Sequence, residues 1–250
     1  MIHINIPHDY SIKRYLQRIS NILLLNGGFF NNSGLYTGEM GLVLFFFRYA
    51  RFTQNELLKE YGFELIEKVQ KRIHQGTPIS YKHGLAGIGS AIEYLEQNSY
   101  IEADTDEILE DFDNRIFSIQ NMSLFSMEEI LSIGYYANWR ISGNSNKKYH
   151  IEQSILSRIN NICFENSIIP IWNPLYNKYN MDVLNIKTFS NLLKHILNND
   201  IIEINNLDLG FEKGLVGLGM TLLSELDGEI SWTLLFPNDF NSTQNESLPL

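Results

Sequence analysis

Between Ser11 and Leu25 the apolar residues Tyr15, Leu16, Ile19, Ile22 and Leu23 recur at steps of one, three and four, so they share one face of an amphipathic helix. Asn26-Gly27-Gly28 is expected to end that helix, the glycines supplying a left-handed turn. A second amphipathic pattern runs from Asn55 to His74. Its stripe of Leu57, Leu58, Tyr61, Leu65, Ile66 and Val69 is flanked by charged positions, which predicts a half-exposed helix. Other stretches are apolar nearly all round: TGEMGLVLFFF at Thr37–Phe47, HGLAGIGSAIEYL at His83–Leu95 and KGLVGLGMTLLSEL at Lys213–Leu226. Helices of that kind belong inside a protein. The chain thus alternates an exposed helix, a glycine turn and a buried helix.

The three apolar stretches align on Gly38/Gly41, Gly84/Gly87 and Gly214/Gly217. The first step is 46 residues and the second 130, close to three further steps of similar size. A worn copy falls at EEILSIGYYANWRI, where Glu129 and Ser132 stand in place of the leading glycines. The next copy is expected near Trp172–Pro174, where no helical pattern is visible, or displaced to Asp182–Leu197. Helical pairs that cannot bury their apolar faces alone stack side by side. The expectation is an all-α fold, an α/α toroid or partial toroid of helical hairpins, forming a single domain over residues 1–250. At the mouth of an inner ring helix starts crowd, and glycine is expected there for close backbone approach and positive φ. Five pairs leave the arc with apolar flanks, predicting self-association or capping by Gly228–Phe240. The last ten residues, NSTQNESLPL, read as disordered.

Composition narrows the function. No apolar run approaches the ~18 residues of a membrane span, and the N-terminus lacks a signal-peptide pattern. The one cysteine, Cys163, excludes an internal disulfide framework and suits a reducing compartment, so a cytoplasmic location is expected. The net charge of −10 argues against nucleic acid, whose phosphates such a surface repels. No HExxH, phosphate-binding loop or GxSxG is present. The acidic stretch Glu102–Asp113 lacks the central glycine and closing glutamate of a calcium loop, and reads instead as a helix start with Asp104 as N-cap.

The phrases GLYTGEMGLVLFFFRYA, SYKHGLAGIGSAIEYL and FEKGLVGLGMTLLSEL resemble the repeated GxxG elements of the lanthionine synthetase C-like family. That resemblance implies a toroid with glycine turns at one end. In the family's enzymes a zinc ion, bound by two cysteines and a histidine, holds a cysteine thiolate that adds to a dehydrated serine or threonine of a ribosomal peptide. Here the chain departs from the pattern. The string Lys82-His83-Gly84 has lysine where a cysteine ligand belongs, Trp172 is followed by Asn173, and Cys163 lies outside every glycine phrase. A catalytic zinc needs three protein ligands and an open position, so no metal and no cofactor is expected.

What remains is the mouth: Glu39, then Tyr81, Lys82 and His83, then Glu212 and Lys213. Beside several helix N-termini these residues are expected to bind a ligand, with Lys82 and His83 suited to an anionic group. The resulting reading is a zinc-free peptide- or protein-binding accessory in modified-peptide maturation. Two alternatives stay open: a cyclase-type peptide-modifying enzyme with an unrecognised site, and a carbohydrate-active α/α barrel. The latter needs two carboxylates about 5–9.5 Å apart, for which Glu39 and Glu212 are the available pair.

Overall fold

The computed structural model describes residues 8–119, 121–143, 149–166, 194, 204, 207–211 and 214–237, and every regular element among them is helical. In chain order these are α1 (His8–Asn26), α2 (Glu39–Thr53), α3 (Glu56–Arg72), α4 (Leu85–Gln97), α5 (Thr105–Ile108), α6 (Glu110–Phe117), α7 (Met127–Ser142), α8 (Tyr149–Glu165) and α9 (Leu215–Asp227). Trp172–Pro174, Asp182–Leu197 as a helix, and the tail NSTQNESLPL lie outside the described residues.

The amphipathic and the wholly apolar helices separate into two layers, as their patterns require. Residues 39–50 of α2, 85–95 of α4 and 215–223 of α9 are all buried. These helices pack in a row, α2 between α9 and α4, with α7 on the far side of α4. The outer layer covers them: α1 on α9, α3 on α2, α5 and α6 on α4, and α8 on α7. In α3 only Gly62, Leu65 and Val69 are buried, while Leu57 stays exposed at the first turn. An apolar stripe this narrow suffices for an outer helix, because α3 gains its stability by seating on α2 rather than by propensity alone. No described helix is long and apolar enough to cross a membrane.

Two local expectations change. Gly27 and Gly28 form a 3-10 turn rather than a left-handed one, and Gly228 is the glycine with positive φ, ending α9 at φ 71°. Asp104 does cap α5, its carboxylate accepting the amides of Asp106 and Glu107. After Gly228 the chain turns back over the inner row in a 3-10 turn at Ser231–Leu235. Trp232, Leu235 and Phe236 are fully buried there, contributing roughly 5–9 kcal/mol at about 1.5–3 per side chain. Phe236 stacks on Phe211 with centroids 3.6 Å apart and lies 5.0 Å from the Tyr36 ring. Buried Arg48 on α2 ties this return down, reaching Asp227 Oδ1 at 2.8 Å and the Glu229 carbonyl at 2.6 Å.

A second buried guanidinium joins four helices. Arg140 on α7 meets Glu93 of α4, Asp106 of α5 at 2.7 Å and Asp113 of α6 at 3.0 Å. The Tyr136 hydroxyl donates to Asp113 at 2.6 Å. Burial pushes the Glu93 carboxyl above its ordinary range despite the hydrogen bond and charge of Arg140.

Candidate functional site: the glycine-turn face

The starts of α2, α4 and α9 are built alike, and backbone does the work a side-chain cap usually does. Leu85 N–H donates to the Pro78 carbonyl at 2.9 Å and Ala86 N–H to that of Ile79 at 3.2 Å. In α9, Leu215 N–H donates to Asp208 at 2.7 Å and Val216 N–H to Leu209 at 3.3 Å; in α2, Glu39 N–H donates to Asn32 at 3.1 Å. Each partner lies seven residues upstream. The preceding loop therefore wraps across the helix start and satisfies amides that would otherwise be orphans.

This wrapping explains the paired glycines. A Cβ on Gly84 would stand 2.0 Å from the Pro78 oxygen, and one on Gly87 would stand 1.8 Å from the Tyr81 oxygen. Gly38, Gly84 and Gly214 have φ of −120°, −138° and −120°, ordinary extended backbone. The expected positive φ is thus not the reason for glycine at these corners; the close approach of the loop carbonyls is. The wrapping also alters the electrostatic expectation. The first two amides of α4 and α9 and the first of α2 already serve carbonyls of their own loops and are not offered to an outside anion.

One sequence signal went unread. Gly34 and Gly210 stand four residues before Gly38 and Gly214, with Ser80 in the middle copy. A Cβ on Gly34 would meet His83 Cα at 2.5 Å, and one on Gly210 would meet the Tyr36 oxygen at 3.1 Å. These glycines let neighbouring turns touch. The turns are then laced together: Tyr36 N–H donates to the Lys82 carbonyl at 3.1 Å and Phe211 N–H to that of Tyr36 at 2.7 Å. The worn copy joins the same lacing by other means. Ser126 and Glu129 form a capping box at the start of α7, and Ser132, in the place of the second glycine, accepts the Tyr81 amide at 2.9 Å.

The residues nominated from sequence divide three ways. Glu39 is fully buried beneath the face, its oxygens 2.6 Å from Lys68 Nζ and 3.3 Å from Arg72 Nη1, so it fastens α3 to α2. Tyr81 is also fully buried, its ring 5.3 Å from that of Tyr135, and burial holds its hydroxyl far above the usual phenol range. Lys82 and His83 do come together at the surface. The Lys82 ammonium lies 5.4 Å from the Tyr36 ring centroid, and His83 Nδ1 is 3.2 Å from Thr37 Oγ1. Asn32 donates to the same Thr37 oxygen at 3.3 Å, so exposed Thr37 and His83 and half-buried Asn32 and Lys82 form one polar group contributed by two adjacent turns. Glu212 and Lys213 lie outside the described residues.

This donor set does not fit a zinc centre of two thiolates and one imidazole. Beside His83 stand an ammonium, a hydroxyl and an amide, and Cys163 is buried in α8, which packs on α7. Among the described residues no group of three or more His, Cys, Asp or Glu is arranged to hold a metal.

No curated protein and no solved structure matches the chain. The first two glycine turns have a counterpart all the same: the family model described as "Lanthionine synthetase C-like protein" matches residues 30–132, from Phe30 ahead of the first turn to Ser132 in α7, and over that stretch the chain is similar to that family.

Proposed function

We propose that this protein is a zinc-free relative of the lanthionine synthetase C-like enzymes that binds a peptide or protein segment during peptide maturation, across the face formed by its glycine turns. One observation carries the reading. Two laced turns bring Thr37, Lys82 and His83 together, and an ammonium, that of Lys82, stands where the resemblance puts one of the thiolate ligands on which the family's enzymes depend. Such a face suits the backbone amides and carboxylates of an extended segment. The toroid implied by the family supplies the rigid rim, and the lacing between turns keeps the polar groups in register without a metal.

The competing carbohydrate reading loses support because Glu39 is held beneath the face by Lys68 and Arg72 and has no access to a substrate. A cyclase-type enzyme remains the alternative that an assay must separate. The probe is a synthetic peptide with one cysteine and one dehydroalanine, incubated with the zinc-supplemented and then dialysed protein. Saturable binding by calorimetry, weakened at least tenfold in K82A/H83A, with the thiol still fully alkylatable and zinc substoichiometric, is the expected result. Consumption of the thiol by the protein, or one tightly held zinc per chain, would overturn the proposal.

A further inference from the structure

Twice, an outer helix reaches back to the glycine-turn face with an arginine. α3 follows α2 in the chain and α6 follows α4, and each carries an arginine in its last turn, Arg72 and Arg115. Arg72 Nη1 donates to the Phe30 carbonyl at 2.9 Å, across 42 residues. Arg115 spans three carbonyls, its Nη1 donating to His74 at 3.2 Å and its Nη2 to Gln75 at 3.0 Å and Thr77 at 2.7 Å, across 38 to 41 residues. The direction is the same in both hairpins and the interval nearly so.

The acceptors stand at matching places. Phe30 lies two residues before Asn32 and Thr77 one before Pro78, and Asn32 and Pro78 supply the carbonyls that receive the first amides of α2 and α4, from Glu39 and Leu85. The helices that carry the two arginines are themselves fixed. Lys68 ties α3 to Glu39 at 2.6 Å, and Asp113 ties α6 to Arg140 and to the Tyr136 hydroxyl. Among the described residues Arg115 has no carboxylate within ion-pair distance, so its fork of donors serves backbone oxygens. Beyond the two clasped segments the turns meet, Tyr36 N–H on the Lys82 carbonyl and Thr37 Oγ1 against His83 Nδ1. Where each turn sits is thus set from outside the face.

We infer that Arg72 and Arg115 are positioning residues for the glycine-turn face. Each clasps the segment that enters its own hairpin, and the pair of clasps holds Thr37 and His83 in contact. A guanidinium suits the task because its planar fork aligns several charge-assisted hydrogen bonds at once, which a lysine ammonium does not reproduce. Support of this kind keeps a polar group carried on loops within the narrow geometry that binding requires. The consequence for affinity rests on the peptide-binding reading of the face; the consequence for geometry does not.

Arg115→Gln is the main test, because Arg72 also pairs with buried Glu39 at 3.3 Å and its outright loss endangers the fold. In the full chain, hydrogen exchange at Leu85 and Ala86 is expected to quicken at least about tenfold and the His83 ring nitrogen shifts to move, while Leu215 and Val216, which make the same bonds in α9, stay as they are. The cysteine and dehydroalanine peptide is expected to bind at least about fivefold more weakly. Arg115→Lys keeps the charge without the fork and should behave as Arg115→Gln. Arg72→Lys keeps a cation beside Glu39 and is expected to quicken exchange at the Glu39 amide at least about fivefold. Arg51→Gln is the control. It removes an arginine at the far end of α2 that donates to the Asn98 carbonyl at 2.8 Å and lies 3.5 Å from the Tyr100 ring centroid, and it should change none of these readouts. Equal quickening at Leu215 and Val216, unmoved His83 shifts, full recovery in Arg115→Lys, unchanged exchange at Glu39 in Arg72→Lys, or unchanged affinity for a peptide that wild type binds would each overturn the inference. A wild type that binds no peptide would instead overturn the function proposed for the face, and the exchange and His83 readouts would still decide the clasps.

Discussion

Replacing Gly87 by alanine tests the claim that the turns are packed by carbonyl oxygens rather than shaped by backbone freedom. The new methyl would sit 1.8 Å from the Tyr81 oxygen, against at least 3.4 Å for ordinary contact, so loop and helix must part by about 1.6 Å (3.4 less 1.8). The obstacle is backbone, with no rotamer to yield. Three hydrogen bonds ride on the same loop: Leu85 to Pro78, Ala86 to Ile79, and Tyr81 to Ser132. At about 0.5–1.5 kcal/mol each, their loss or distortion costs roughly 1.5–4.5 kcal/mol. Overpacking adds about 1–3 kcal/mol, and the better helix propensity of alanine returns about 1 kcal/mol. The net expectation is about 1.5–6.5 kcal/mol of destabilisation, and more for Gly87→Val. Urea unfolding followed by circular dichroism reads it directly. Gly28→Ala is the matched control, since a Cβ there meets nothing within 4 Å; it is expected within about ±0.5 kcal/mol of wild type. If Gly87→Ala is no less stable than Gly28→Ala, the carbonyl-packing account of the repeat is wrong.

Ser132→Ala leaves the Tyr81 amide without its acceptor inside the protein. It is expected to cost about 1–3 kcal/mol and to speed hydrogen exchange at Tyr81 more than at Tyr94; unchanged exchange at Tyr81 would show that the hydroxyl plays no part in the lacing. Glu93→Gln is expected to alter the dependence of stability on pH. Burial raises the Glu93 pKa in the folded state, against smaller opposing contributions from Arg140, Gln97 and Thr105, so the folded protein holds this proton more firmly than the unfolded chain. The stability it contributes is fully present below the ordinary glutamate range and is lost as pH rises through the raised folded value. Wild type should therefore lose stability relative to Glu93→Gln on going from about pH 4 towards neutrality, and parallel curves would rule the effect out.

Much of the layering was legible in the order of apolar and polar residues. The stripe on α3 and the unbroken apolar runs of α2, α4 and α9 assigned these helices to outer and inner layers. That separation follows from burial alone, because a helix apolar all round has no face to give to water. The aligned glycines marked the starts of three inner helices, and Asp104 marked the start of α5. Helix α7 was harder to place. Its copy begins at Ser126 with a side-chain capping box, three residues before the aligned Glu129, because a sequence with no leading glycine must satisfy the first amides by another route. The candidate site was legible only in part. Lys82 and His83 stood out as charged neighbours of a glycine, whereas Thr37 and Asn32, which gather beside them, carry no pattern that distinguishes them from other loop residues.

The sequence by itself determined that this protein is helical, that its helices alternate between two layers, and that glycine recurs at the corners, since periodicity and side-chain size are local properties of the chain. Only the tertiary structure decided which carbonyl crowds each glycine, that Glu39 is buried against Lys68 and Arg72 while His83 reaches Thr37, and that Arg51 settles on Tyr100. Those outcomes depend on contacts between residues that lie far apart in the chain, 46 positions apart for Thr37 and His83, and no one stretch of sequence records its partner.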